Sequence, residues 1–300
     1  VEDARSVAFR LNMPYYVMNF AEDFREKVMI PFAKSYLQGR TPNPCIECNR
    51  CLKFDRLMRR ARELEADWVA TGHYARVEQD GGRYLIKKAV DAGKDQSYVL
   101  YMLTQEQLAH LKLPLGGLNK AEVREIAAEN GFVNARKHDS QDICFVPDGN
   151  YGAFIQRFAG EAAPPGDFVD GMGRVLGRHR GIIHYTIGQR KGLGIALGRP
   201  AYVQAIDPKA NTVTLSDDAA LYRRELDVEH VNLIALDRID RPMRLTVRIR
   251  YSQKESPAEV VQTEEGRLHI RFETPQRAVA PGQAAVIYDG ETVVGGGTIS

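Results

Sequence analysis

Three of the four cysteines in this 300-residue chain fall in one heptapeptide, Cys45-Ile46-Glu47-Cys48-Asn49-Arg50-Cys51, and the fourth, Cys144, stands far off in Asp142-Ile143-Cys144-Phe145. A C-x-x-C-x-x-C run serves as a redox pair, as part of a metal or iron–sulfur site, or as a nucleophile with spectators, and each use needs thiolate rather than thiol. A helix starting near Asn49, a residue type suited to an N-cap, puts Cys48 at the positive end of the helix dipole and favours its thiolate. The preceding Thr41-Pro42-Asn43-Pro44 is a stiff lead-in, because each proline fixes its own φ and turns its predecessor away from α. Such a segment can hold a substrate against the sulfur. The competing reading is three small apolar residues at a helix start, which fits poorly with three thiols in seven positions of a four-cysteine chain.

The elements that must position these sulfurs follow from periodicity. Val1, Ala4, Val7, Ala8 and Leu11 have helical spacing, and Tyr15 to Phe20 reads as a buried strand. A second helix carries Phe24, Val28, Phe32, Ala33 and Tyr36 inward and ends near Gly39; after the cysteines, Phe54, Leu57, Met58, Ala61 and Leu64 again recur at three and four. Trp68 to Thr71 is the next strand. Thr104 with Gln107 and Asn119 with Glu122 form two capping boxes, the second helix stopping at Gly131. Helix–strand alternation of this kind argues for a parallel α/β layer. Beyond Pro164-Pro165-Gly166 the helical period gives way to short strands with turn signals, such as Ala201–Ile206, Thr212–Leu215, Ala258–Gln262, Arg267–Phe272 and Ala284–Tyr288. In Met243–Tyr251, alternation puts Met243, Leu245, Val247 and Ile249 on one face and Arg244, Thr246, Arg248 and Arg250 on the other.

Composition is that of a soluble globular protein, 44% hydrophobic and 27% charged, long enough for two or three domains. No stretch approaches the ~18 apolar residues a membrane span needs, and no secretory n-region is present, so a cytoplasmic location is expected. In a reducing compartment so few cysteines read as catalytic or metal-binding rather than structural. Net charge is only +2, yet Gly171 to Ile206 contains no Asp or Glu while holding Arg174, Arg178, Arg180, Arg190, Lys191 and Arg199. A basic, glycine-rich stretch suits close approach to phosphates, a solvated loop with chance charge bias being the alternative.

Taken in order, the segments Thr41–Asn49, Ala70-Thr71-Gly72-His73-Tyr74, Gly93-Lys94-Asp95-Gln96-Ser97-Tyr98, Asp139-Ser140-Gln141-Asp142-Ile143-Cys144-Phe145 and His184–Gly194 resemble the bacterial tRNA-specific 2-thiouridylases of the MnmA family, over nearly the whole chain. The resemblance implies an α/β nucleotide-binding and catalytic domain over 1–155, a small central tRNA-binding domain over 156–225 and a C-terminal β-barrel over 226–300. It also implies ATP-dependent adenylation of the 2-oxygen of the wobble uridine, with magnesium, followed by sulfur replacement. By that resemblance Cys48 is the nucleophile and Cys144 the persulfide-bearing cysteine, the two closing as a disulfide when sulfur is released. Asn43, Pro44 and Cys45 match the segment that meets the target base, Gly72 a nucleotide contact, and His73, Lys94, Asp95, Gln96, Arg250, Tyr251 and Gln283 tRNA contacts. The implied partners are tRNA and a persulfide donor protein.

Two departures qualify it. The family's Ser-Gly-Gly-x-Asp-Ser phosphate loop has no counterpart here, which reads as an N-terminally truncated copy not expected to adenylate alone. Cys45 stands where some members carry Asp, so Cys45, Cys48 and Cys144 could instead hold a [4Fe–4S] cluster with an open iron, while Cys51 inherits no role. A zinc site lacks an obvious His or second Cys pair. A further alternative is a non-catalytic RNA-binding fragment.

Overall fold

A computed structural model describes residues 1–137, 143–159 and 163–300. Asp139 to Asp142 of the Cys144 motif therefore lie outside the described residues.

Helix α1 (Glu2–Arg10) forms as its spacing predicts, although none of its residues is buried. The expected strand over Tyr15–Phe20 does not form: the segment is irregular, with Tyr16 71% and Val17 63% exposed. A strand needs a neighbour for its backbone groups, and among the described residues the parallel layer consists only of β1 (Val69–Ala70) against β4 (Leu111–Lys112), in register Val69↔Leu111. Helix α2 runs over 21–37 with a π-helical turn at Arg25–Met29, and buries Val28, Phe32, Ala33 and Tyr36 as expected. Gly39, at φ +69°, releases the chain after it. Helix α3 runs over 44–63, its middle (Asn49–Arg56) again π-helical.

Between β1 and β4 lies a hairpin that periodicity did not reveal, β2 (Ala75–Asp80) and β3 (Arg83–Lys88), turning at Gly81-Gly82. Both capping boxes close: Thr104 caps α4 (Gln105–Ala109) reciprocally with Gln107, and Asn119 caps α5 (Lys120–Glu129) with Glu122. Helix α6 (Tyr151–Ala159) then leads into a four-stranded sheet. Its strands are β5 (Gly166–Val169), β6 (Val175–His179), β7 (Tyr202–Asp207) and β8 (Thr212–Ser216), ordered β6-β5-β8-β7 with β5 and β8 parallel. Phe32 and Tyr36 of α2 and Phe154 and Ile155 of α6 pack against Phe168, Ile183, Tyr185 and Val213 of this unit in one core.

The last strands, β9 (Tyr222–Leu233), β10 (Met243–Arg248), β11 (Ser256–Glu264), β12 (Arg267–Arg277), β13 (Ala284–Asp289) and β14 (Thr292–Ile299), close into a six-stranded antiparallel barrel through the β13–β14 pair. The alternation read in Met243–Tyr251 holds, with Leu245, Val247 and Ile249 buried among the barrel interior residues. Strand β13 is different. Ala285 and Ile287 point into the barrel, whereas Ala284, Val286 and Tyr288 point out of it into a core shared with Ile46, Phe54, Tyr98, Leu100 and Leu103 of the first half. Gly296 permits this contact, since a Cβ there would lie 2.9 Å from the Tyr101 ring. The β2–β3 hairpin extends the same sheet, Lys87 pairing with Thr292. The first half and the barrel thus form one packed body.

Asp95 pins that junction. Its buried carboxylate accepts from the backbone N–H of Ala89 (3.0 Å) and Ser97 (3.2 Å) and from the Ser97 hydroxyl (2.9 Å), and lies 3.4 Å from the Arg248 guanidinium of β10. Replacing it leaves a buried arginine and two buried N–H groups without their acceptor. Asp95→Ala is expected to lower unfolding free energy by about 3 kcal/mol; denaturant unfolding showing a loss below about 1 kcal/mol would contradict this role.

Candidate active site at the thiol cluster

Asn43, in extended conformation (φ −103°, ψ 100°), is the N-cap of α3, its side-chain oxygen accepting from the Cys45 N–H at 3.1 Å, with Pro44 as the first helical residue. The helix is therefore capped six residues earlier than expected, at Asn43 rather than Asn49. Cys45, not Cys48, sits in the first turn, and Cys48 lies one turn in, where the free N–H groups of the helix end do not reach it. The sequence reading missed this because Asn43 sits between two prolines, and both Asn43 and Asn49 are cap-forming types.

The four thiols are all free: Cys45 and Cys144 exposed, Cys48 half-buried, Cys51 buried. Cys48 and Cys51 pack with Val28, Leu52, Phe20, Phe24 and Phe145. Phe145 brings the fourth sulfur in: its ring meets Phe24 (5.5 Å), Phe32 (5.3 Å) and Phe154 (5.2 Å), anchoring the residue after Cys144 between α2 and α6. Cys144 in consequence lies near enough to Cys45 and Cys48 for its charge to disfavour theirs. No local pattern joins two segments so far apart; only the family resemblance paired them.

Burial pushes the Cys48 thiol above its ordinary pKa; the Lys53 ammonium pulls it back, and the neighbouring sulfurs of Cys144, Cys45 and Cys51 push it further up. Cys45 is likewise raised: although the residue as a whole is exposed, protein atoms crowd its sulfur and partly desolvate it, and Cys144 adds to this, with Lys53 opposing. Cys51, raised by burial, points its thiol at the Glu47 carboxylate (3.9 Å), which is held by Arg50. Lys53 stands five residues after Cys48, about 140° away around an ordinary α-helix; in π-helical backbone, where carbonyls are bonded five residues on, the two come to one side.

Lys53 also approaches His73 Nε2 at 3.5 Å, and Thr71 Oγ1 lies 2.8 Å from His73 Nδ1. An ammonium only donates, so Nε2 accepts and Nδ1–H donates to Thr71. Burial, with Lys53 beside it, lowers the His73 pKa to about 4, and the ring is only 6% exposed against Phe54. His73 is thus a neutral, buried residue orienting Lys53.

The remaining sequence-predicted residues divide. Gly72 is exposed, a Cβ there meeting only Leu115 at 3.6 Å. Gln96 accepts from the Tyr74 N–H (3.0 Å), and the half-exposed Tyr251 donates its hydroxyl to the Asp95 carbonyl (3.2 Å). Arg250 spends its guanidinium on the carbonyls of Ile187 (3.1 Å) and Ala278 (2.9 Å), riveting the central unit to the barrel. Gln283 donates to the Thr41 carbonyl at 2.7 Å. Lys94 is half-buried beside Asp95. Among the described residues, no three His, Cys, Asp or Glu side chains gather as a metal-binding group, so the arrangement gives the cluster of Cys45, Cys48 and Cys144 no support.

Three family models cover the chain: a tRNA methyl transferase HUP domain over residues 1–148, a tRNA methyl transferase PRC-barrel domain over 152–217, and an aminomethyltransferase beta-barrel domain over 223–299. Fold and matches together define a three-part HUP, PRC-barrel and β-barrel protein. Curated relatives named tRNA-specific 2-thiouridylase MnmA align along the full chain. Those of Acetivibrio thermocellus and Clostridioides difficile are 52% and 50% identical, with 84% and 83% of their own lengths covered; one named MnmA 1, from a Thermoanaerobacter species, is 53% identical with 83% covered. The chain belongs to the tRNA-specific 2-thiouridylase MnmA family.

Because Cys48 ionises above the ordinary thiol range, its alkylation by iodoacetamide should rise with pH to a midpoint above about 8.5, and Lys53→Met should move the midpoint higher still. Peptide mapping that finds the Cys48 midpoint lowered in Lys53→Met would show that Lys53 does not stabilise the thiolate.

Proposed function

We propose that the chain carries out the sulfur-transfer step of tRNA uridine 2-thiolation with Cys48 and Cys144 as the paired thiols. The observation behind this reading is that Phe145 packs into the cluster holding Cys48 and Cys51, which keeps the neighbouring Cys144 near enough for its charge to oppose ionisation of Cys48. C2 of uridine resists attack until its oxygen becomes a leaving group, which ATP achieves by adenylating that oxygen. The terminal sulfur of a Cys144 persulfide then attacks C2, and AMP departs with the oxygen. Attack of the Cys48 thiolate on Cys144 Sγ breaks the persulfide bond, leaves its electron pair on the sulfur now attached to the base, and forms a Cys48–Cys144 disulfide, which a thiol reductant reopens. Lys53 supplies the positive charge favouring the Cys48 thiolate, and Gly72 is the residue of this chain proposed to face the nucleotide. Magnesium accompanies the ATP in this reading, and the sulfur comes from a persulfide donor protein in the cytoplasm.

For tRNA, the exposed basic side chains between Gly171 and Ile206 supply the phosphate contacts. Two of them are partly committed: Arg174 pairs with Asp170 (2.7 Å) and Arg178 with Asp167 (3.2 Å), acids that lie just before the acid-free stretch. Neutralising Arg180 or Lys191 should each reduce the slope of log K against log salt by up to about one unit, and Arg178 by less. Equal slopes in wild type and an Arg180/Lys191 double mutant would show that this face looks away from the RNA.

With the family's phosphate loop restored, Cys48→Ser and Cys144→Ser are each expected to abolish 2-thiouridine formation, measured by nucleoside mass spectrometry with ATP and a persulfide donor. Cys51→Ser should be nearly silent, and Cys45→Ala should keep at least about a tenth of the rate, a barrier change under ~1.4 kcal/mol. Damage from Cys51→Ser equal to that from Cys144→Ser would sink the two-thiol relay.

A further inference from the structure

The lead-in to α3 is held by the barrel rather than by its own half of the chain. Thr41 donates its N–H to the Pro281 carbonyl (2.9 Å), and its carbonyl accepts from Gln283 Nε2 (2.7 Å), so both backbone groups of one residue are gripped by the turn between β12 and β13. Next to it, Arg40 pairs with Glu229 of β9 at 3.0 Å. Gly282, at φ +89°, lets the turn come this close: a Cβ would sit 3.1 Å from both the Arg40 Cβ and the Thr41 nitrogen.

What lies beneath the lead-in makes this grip consequential. A cavity of about 190 Å³ opens there, bounded by Pro42, Asn43 and Pro44 on one side and by Phe32, Tyr101 and Gly282 on the others. The segment is therefore not wedged in place by close packing, and room exists for it to shift. Its two prolines make it stiff, so a displacement at Thr41 passes to Asn43 and to the cap that starts the helix of Cys45 and Cys48.

We propose that Gln283 is a positioning residue for the nucleophile: by fixing the Thr41 peptide it sets where the first turn of α3 begins and hence where Cys48 presents its sulfur. This rests on the sulfur-transfer reading above and differs from the direct tRNA contact that the family resemblance implies for the same side chain. The two roles separate experimentally. Gln283→Met is close in size and adds no charge to repel tRNA phosphates, but it cannot donate to the Thr41 carbonyl; Gly282→Ala leaves Gln283 intact and displaces the lead-in by crowding.

Both variants, and the wild type, would be made in the full chain with the family's phosphate loop restored and compared by hydrogen exchange of the 43–48 amides, by filter-binding affinity for tRNA, and by 2-thiouridine formation with ATP, L-cysteine and a cysteine desulfurase. The expected result is exchange at the Cys45 and Ile46 amides at least tenfold faster in both variants, tRNA affinity within twofold, and kcat at least tenfold lower with KM for tRNA unchanged. Weakened tRNA affinity with wild-type exchange and kcat would make Gln283 an RNA contact and overturn the proposal, as would unchanged exchange in both variants. Absence of 2-thiouridine from the wild type would instead defeat the sulfur-transfer reading, while exchange and the Cys48 alkylation rate would still decide whether Gln283 positions the helix.

Discussion

Strand β13 is dry on both faces, and the rest of the molecule is arranged around that fact. An antiparallel barrel strand ordinarily shows one face to its interior and one to water; here Ala284, Val286 and Tyr288 instead complete a core whose other residues come from α3, β1, β4 and the Tyr98–Leu103 run. The β2–β3 hairpin joins the barrel sheet, Asp95 meets Arg248, and the Tyr98 hydroxyl donates to the Ala284 carbonyl at 2.8 Å. Apolar burial brings the two bodies together, and these polar contacts fix their relative orientation, because each would be left unpaired by a slip. The catalytic half thus has no complete core without the barrel.

Within that frame the sulfur site balances opposing electrostatic demands. In the proposed transfer Cys48 benefits from exclusion of water, yet the same burial opposes its ionisation, and the neighbouring sulfurs oppose it further. Lys53 offsets this from within the same helix. His73, held neutral by burial, offers the ammonium an acceptor without competing as a second cation. The helix dipole, which would have served if Cys48 capped the helix, acts on Cys45 instead.

Legibility in the sequence followed the range of the interactions. Capping boxes, barrel strands and the apolar face of α2 depend on neighbours a few residues away, and they stand where Thr104, Asn119, Met243–Tyr251 and Phe32 indicated. Tyr15–Phe20 has strand-like composition, but a strand is a property of a pair, and composition does not reveal whether a partner lies alongside. The β2–β3 hairpin was signalled by Asp80-Gly81-Gly82 and was masked by the expectation of helix–strand alternation. At the site, the motifs named residues but not what they touch: Asp95 and Arg250 are joints between parts, Thr71 and Phe145 stood inside motifs with no role attached, and Lys53 carried no signal because its placement arises from a π-helical stretch.

The shared core has a consequence in time. Domains emerging from a ribosome generally fold from the N-terminal end onward. Here Val286, Tyr288 and Val293, encoded well downstream of the cysteine helix, are part of the core that buries Phe54 and Leu103. The cysteine helix is made before those strands and cannot be seated until they arrive, so in the interval the three clustered thiols are carried on an unfinished surface. Long-range closure of this kind slows folding. It also makes the completed barrel the event that turns a row of ordinary, oxidisable cysteines into a site with one defined geometry.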